Sequence, residues 1–285
     1  MLSFSEIETW LKQANTRYRS ESIPHRQRPF RAISDFSVEH KISLDFSSTT
    51  ANQIFEWFKS NSPPYSHALG SMFTGAYFFD SAFWPIEVPI IYGQITVDAF
   101  KCLETMPQTI KNEIESSQGD TRRLVDYWVD CMDYGYGIDE IRNGAGGLSD
   151  KARHFAKSAD RELRGAISQI VLPRPNTKAI LGLRMATEIF MKAVLIQELT
   201  LKDSDLKRIN HSLKSAAHEC ARITSDETYS ALADMSDVFP AVSSRYERDE
   251  WPLKDLWQAV TLAQISATAL TRRFTDKDIR LSFFR

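Results

Sequence analysis

Arg184-Met185-Ala186-Thr187-Glu188-Ile189-Phe190-Met191-Lys192-Ala193-Val194-Leu195 is the stretch on which the fold turns. It sits inside a segment, 177–200, that follows Pro173 and Pro175 and reads as one amphipathic helix. Glu188 and Lys192 stand four residues apart with the acid on the N-terminal side, the favourable order for an intrahelical ion pair worth about 0.2–0.5 kcal/mol. Working outward, helices are predicted at 149–170, 203–223, 226–238 and 252–274. The last opens after Pro252 and carries Leu253, Leu256, Trp257, Val260, Ala263, Ala267 and Leu270 on one stripe, the mark of a helix facing a bundle core. From residue 150 onward the chain reads as almost wholly helical.

The first half is more mixed. Ile7, Trp10, Leu11 and Ala14 have helical spacing, which predicts a helix over 5–15, followed by an Arg-rich segment punctuated by proline over 16–31. Alternation of Ile42, Leu44 and Phe46 predicts a half-buried strand over 38–46, and Ile54, Phe55 and Phe58 predict a helix over 50–59. The aromatic and β-branched stretch 72–97 cannot be one long strand, because Pro85 and Pro89 interrupt it, and it reads as an irregular or short-stranded core segment. Helices are expected near 97–104, 107–116 and 120–133. Five of the eleven glycines then fall within 134–149, a concentration that predicts a boundary or loop.

Composition sets limits on function. With 285 residues, 42% hydrophobic and 25% charged, the chain has enough material for one large domain or two modest ones. Cys102, Cys131 and Cys220 are too widely spaced for a disulfide framework or a Cys-x-x-Cys metal site, and the N-terminus carries no secretory pattern, so a reducing cytoplasm is expected. The longest apolar candidate, 78–95, is broken by Asp80, Pro85, Glu87 and Pro89, short of the roughly 18 residues that span a bilayer. Residues 1–150 hold 13 Lys plus Arg against 20 Asp plus Glu, whereas 151–285 hold 22 against 17. That asymmetry biases a polyanion toward the C-terminal part.

Several chemical patterns can be weighed by spacing. Gly144-Ala145-Gly146-Gly147 precedes a helix whose N-terminus could cradle phosphate, but Ser149 stands where a dinucleotide fingerprint needs its third glycine, so a connector is expected. His211 and His218 lie two helical turns apart without a third ligand, and no metal site or cofactor is expected. Asp126, Asp130 and Asp133 share one helical face beside Tyr127 and Tyr134; a hard divalent ion or the Arg-rich N-terminal segment would relieve them, and a solvated acidic face is the plain expectation. No Gly-x-Ser-x-Gly turn exists, and Trp10, Trp57, Trp84 and Trp128 read as core.

Three motifs in the second half carry a family resemblance. The 184–195 helix is similar to the Glu-x-x-x-Lys-Ala-x-Leu helix of HEPN domains. Asn210-His211-Ser212-Leu213-Lys214 resembles their His-Asp/Ser-Leu signature, and Ser243-Ser244-Arg245-Tyr246-Glu247 resembles the Arg-Tyr turn before their last long helix. The resemblance covers about 120 residues and implies a helical bundle that homodimerises. In active members an Arg, followed after four to six residues by a His, cleaves RNA without metal through attack of the RNA's own 2′-hydroxyl. Here Arg245 is followed by Tyr246, Glu247, Arg248, Asp249, Glu250, Trp251 and Pro252, so the His is missing. Arg19 and His25 have the spacing but lie outside the matched region.

The expectation is therefore a mainly α chain: an α+β region over 1–134, a glycine-rich connector over 135–149, and a HEPN-like helical bundle over 150–285. The resemblance points to a non-catalytic homodimer that binds RNA, a nucleotide or a partner protein, as in bacterial toxin–antitoxin or phage-defence systems. Its ligand-binding candidates are Arg245, Tyr246, Arg248, His211, Glu188 and Lys192. The alternative is a metal-independent ribonuclease with an unusual site around Arg245, its His supplied by His211 or His25.

Overall fold

The computed structural model describes residues 4–45, 48–63, 71–91, 96–200, 211–241, 243–244 and 250–280. Among these the chain is mainly helical, with ten α-helices and one small antiparallel hairpin. No helix is long and apolar enough to cross a membrane among the described residues. The chain divides into two compact units, 1–71 and 72–285.

The first unit holds α1 (Phe4–Ser20), α2 (Arg28–His40) and α3 (Thr49–Ser60). Ile7, Leu11, Ala14 and Tyr18 recur every third or fourth residue of α1 and pack with Ile33, Phe36, Ile54 and Phe58 into one apolar cluster. Tyr18 Oη donates to Asp35 Oδ2 at 2.9 Å, and Arg17 meets the same oxygen at 3.0 Å. The strand expected at 38–46 is not formed across its described residues, 38–45. The α2 helix runs through His40 and is closed by Lys41 in the left-handed region, residues 42–45 have no regular structure, and Val38 faces water at 74% exposure. Ala32, Ile33 and Phe36 hold this segment in helical period, which outweighs three alternating residues. Every described regular element of the first unit is helical.

The second unit opens with β1 (Phe73–Phe79) and β2 (Ala82–Val88), paired from Phe73↔Val88 to Phe79↔Ala82. Asp80 and Ser81 both take positive φ, 50° and 59°, the requirement of a two-residue hairpin turn. Pro85 is tolerated because a two-stranded ribbon leaves each strand an open edge. The expected helix at 97–104 is a run of turns that buries Leu103.

Then follow α4 (Gln108–Ser116), α5 (Gln118–Arg142), α6 (Asp150–Ile170), α7 (Ala179–Leu199), α8 (Leu213–Thr224), α9 (Glu227–Met235) and α10 (Leu253–Phe274). Helix α7, which contains the 184–195 stretch, packs on α6, α8 and α10 and buries residues around most of its circumference, among them Leu183, Ala186, Phe190, Val194 and Leu195. The N-caps are made by serine side chains at α5, α6 and α8: Ser117, Ser149 and Ser212 each accept a backbone N–H three residues on.

The glycine-rich stretch expected as a connector lies inside this unit. Gly135 and Gly137 are residues of α5. A Cβ on Gly135 would come within 3.2 Å of Phe73 and Val88, and one on Gly137 within 2.5 Å of Thr271 Cβ. They are absences of side chain that let α5 press against the hairpin and α10.

Candidate functional site

The residue types singled out on α7 and before α8 meet at one carboxylate. Arg184, Glu188 and Lys192 are spaced by four residues and share one stripe of α7. Glu188 is 8% exposed, and its Oε1 accepts Lys192 Nζ at 2.6 Å and His211 Nδ1 at 3.0 Å. Because an ionised carboxylate only accepts, the proton lies on Nδ1 of His211, and the imidazole is oriented by Glu188 with its other nitrogen on the opposite side of the ring. The His211 side chain is 71% exposed. Arg184 Nη2 donates to His211 O at 2.7 Å, which ties the turn before α8 to α7. Arg184 Nε is buried without a hydrogen-bond partner among the described residues, and burial pushes the guanidinium down from its ordinary value while Glu188 pulls it up. The cluster therefore joins two fixed cations, one imidazole open to solvent and one carboxylate, with a donor left over.

Thus Glu188, Lys192 and His211 are brought together, and Arg184 joins them as a residue that motif reading passed over; its position four residues before Glu188 was the available signal. Arg245, Tyr246 and Arg248 lie outside the described residues. The described chain resumes at Glu250, and Trp251 N donates to Thr177 Oγ1 at 3.1 Å, two residues before the start of α7. His218 is exposed on α8. His25 sits in the first unit with Nδ1 3.0 Å from Ser62 Oγ, and burial, then Arg28 and Arg19, push its imidazole down.

A second feature is a cleft of about 810 Å³. It is lined by Arg123, Asp126, Tyr127 and Asp130 of α5, by Leu232 and Met235 of α9 with its cap residue Asp226, and by Trp257, Ile265, Ala269 and Arg272 of α10. Asp278 and Arg280 close one end. Here the acidic face expected to be solvated is corrected. Asp126 is half-exposed, but Asp130 and Asp133 are 8% and 0% exposed and engage Arg272, whose Nη2 lies 2.7 Å from Asp130 Oδ1 and 2.6 Å from Asp133 Oδ2. Two carboxylates on consecutive turns form a fork for one guanidinium, which replaces the water they lose. Burial raises both acids; Arg272 opposes this at Asp130, and the Ile279 N–H and Arg272 oppose it at Asp133.

Elsewhere, Tyr134 Oη donates to Asp160 Oδ1 at 2.7 Å beside Arg164 Nε, also 2.7 Å from that oxygen, a buried network that ties α5 to α6. Arg164 Nη2 also reaches Met72 O, which fastens the start of the hairpin. The three cysteines are free and buried. Among the described residues no three His, Cys, Asp or Glu side chains gather in a group that could hold a metal ion. Compared with family models, curated proteins and solved structures, the chain matches none.

Proposed function

We propose that the second unit is a binding module for RNA or a nucleotide, and that it takes a phosphate at the Arg184–Glu188–Lys192–His211 cluster without cleaving it. The observation that carries this reading is the sharing of one buried carboxylate oxygen by Lys192 and His211, next to a guanidinium with an unused buried N–H. A phosphate oxygen that takes this N–H as the guanidinium swings outward satisfies a donor whose isolation costs about 1–3 kcal/mol. In this reading Arg245 and Arg248 add phosphate contacts, Tyr246 stacks on a base, and the chain works as a homodimer, as the HEPN resemblance implies. Its setting is a toxin–antitoxin or phage-defence system. Phosphate contacts of this kind fix position, not sequence, and make affinity fall steeply with salt.

The test is a titration of the full chain with transfer RNA at several salt concentrations. Arg184→Met and Arg245→Ala should each weaken binding on every RNA and reduce the logarithmic salt dependence by about one unit. Unchanged affinity and salt dependence in both variants would overturn the proposal. Light scattering of the same samples checks the dimer.

A second reading has an observation of its own. An imidazole held at Nδ1 by a buried carboxylate, with its ring exposed, is the arrangement a general acid or base requires. That reading makes His211 the group that completes a metal-independent ribonuclease with Arg245.

A further inference from the structure

We infer that residues 275–280 form a strap that latches onto α5 and controls access to the Arg272 end of the cleft lined by α5, α9 and α10. Helix α10 stops at Phe274, and Thr275 turns the chain into extended backbone. The six residues that follow the helix then run back along α5 and are held at three levels. Ile279 N donates to Asp133 Oδ1 at 2.7 Å, Arg280 Nη2 lies 3.3 Å from Asp130 Oδ1, and Lys277 Nζ lies 2.6 Å from Glu140 Oε1. Asp278 and Arg280 of the strap line the cleft together with Arg272, and Ala269, one turn before Arg272 on α10, also lines it and is 8% exposed.

The latch can part without stranding a charge. Asp133 divides its oxygens, Oδ2 to Arg272 and Oδ1 to the strap, so that a departing strap leaves the carboxylate still paired. Asp130 likewise keeps Arg272 when Arg280 leaves. Most of the strap's ionic contacts lie nearer solvent: Lys277 and Glu140 are 32% and 29% exposed, and Arg280 is 42% exposed, against 20% for Arg272, which the strap's Asp278 meets at 3.7 Å. Arg280 Nε is buried without a partner in the latched state, so the closed strap already carries one unmet donor. The α5–α10 joint has contacts of its own, because Gln264 Nε2 and Thr268 Oγ1 both donate to Asp130 O, and the strap adds to them Asp278, 3.7 Å from Arg272 Nε. The fold thus has a permanent joint and, on its outer side, a separable one.

The experiment measures reagent access in the full chain. The three native cysteines are buried, so a thiol introduced by Ala269→Cys reports the cleft lining beside Arg272 and one introduced by Thr261→Cys reports the lining two turns earlier on α10. Ile279→Pro removes the N–H that Asp133 accepts and leaves the α5–α10 joint in place. Maleimide labelling at the 269 site should rise by about tenfold in the Ile279→Pro background, the population change of one charge-assisted hydrogen bond, while labelling at the 261 site stays the same. The double variant Lys277→Ala/Arg280→Gln, which spares the backbone, should act in the same direction. No rise at 269 in either background, or an equal rise at both sites, would overturn the strap.

Discussion

Two buried carboxylates on long helices of the second unit, Glu188 on α7 and Asp133 on α5, use the same chemistry to opposite ends. Asp133 is sealed: its Arg272 partner is 20% exposed, the strap covers its second oxygen, and Asp130 completes the fork. Glu188 is open on one side, because one of its two partners, His211, reaches solvent and another cation, Arg184, keeps an unused donor. A buried acid whose partners end inside the protein serves the fold. One whose partners end at the surface keeps a charge arrangement within reach of solvent, which is the premise of the binding proposed for Glu188.

The comparison breaks most visibly at Arg272. Arg272→Leu leaves Asp133 buried without its cation and Asp130 with Arg280 alone, and should cost about 3–5 kcal/mol in urea unfolding. Arg184→Leu at the open cluster should cost far less, and equal losses would erase the distinction. Next comes the spacing that lets α5 and α10 meet. Gly137→Ala places a Cβ against Thr271 Cβ and should cost about 2 kcal/mol, read as a lowered urea midpoint, while Gly119→Ala, with nothing within 4 Å, should not destabilise. Smaller again, Ser212→Ala removes the cap of α8 beside His211 and should lower stability by about 1 kcal/mol.

The smallest effect is one of pH. Burial raises Asp133 above the ordinary carboxylate value of 3.8, so the folded chain holds that proton more tightly than the unfolded chain. The resulting stability is fully present below the unfolded value and is lost as pH rises through the folded one. Unfolding of wild type and Asp133→Asn, compared from pH 3.8 upward, should therefore show the difference moving against wild type. A difference that moves the other way would mean Arg272 and Ile279 outweigh burial.

How much of this was legible in the sequence follows from the range of the interactions. Helix α7 was readable as a helix after Pro173 and Pro175, but it is buried around most of its circumference and not on the one face expected of an amphipathic helix. Helix α10 was readable because its apolar stripe is a local pattern of helical period. Glu188 and Lys192 were readable as a pair for the same reason. The hairpin was only half readable: Pro85 excluded a long strand, but Asp80 and Ser81 lack the glycine that usually marks such a turn. Gly135 and Gly137 misled because composition does not distinguish a flexible loop from a close helix crossing, and what tells them apart is Phe73, Val88 and Thr271, all distant in sequence. The face formed by Asp130 and Asp133 was visible by spacing, yet its partner Arg272 lies 139 residues beyond Asp133, where no periodicity reaches. Arg184 escaped because an Arg at i−4 from a Glu is commonplace until the turn carrying His211 folds onto it.

The most direct test of the open cluster is incubation of the full chain with a mixed transfer and messenger RNA pool in EDTA, alongside Arg245→Ala and His211→Gln. Binding without turnover predicts RNA that is retained by the wild type, released by Arg245→Ala, and intact in all three samples. Cleavage by the wild type that disappears in His211→Gln would contradict it and make the Glu188-held imidazole a catalytic group.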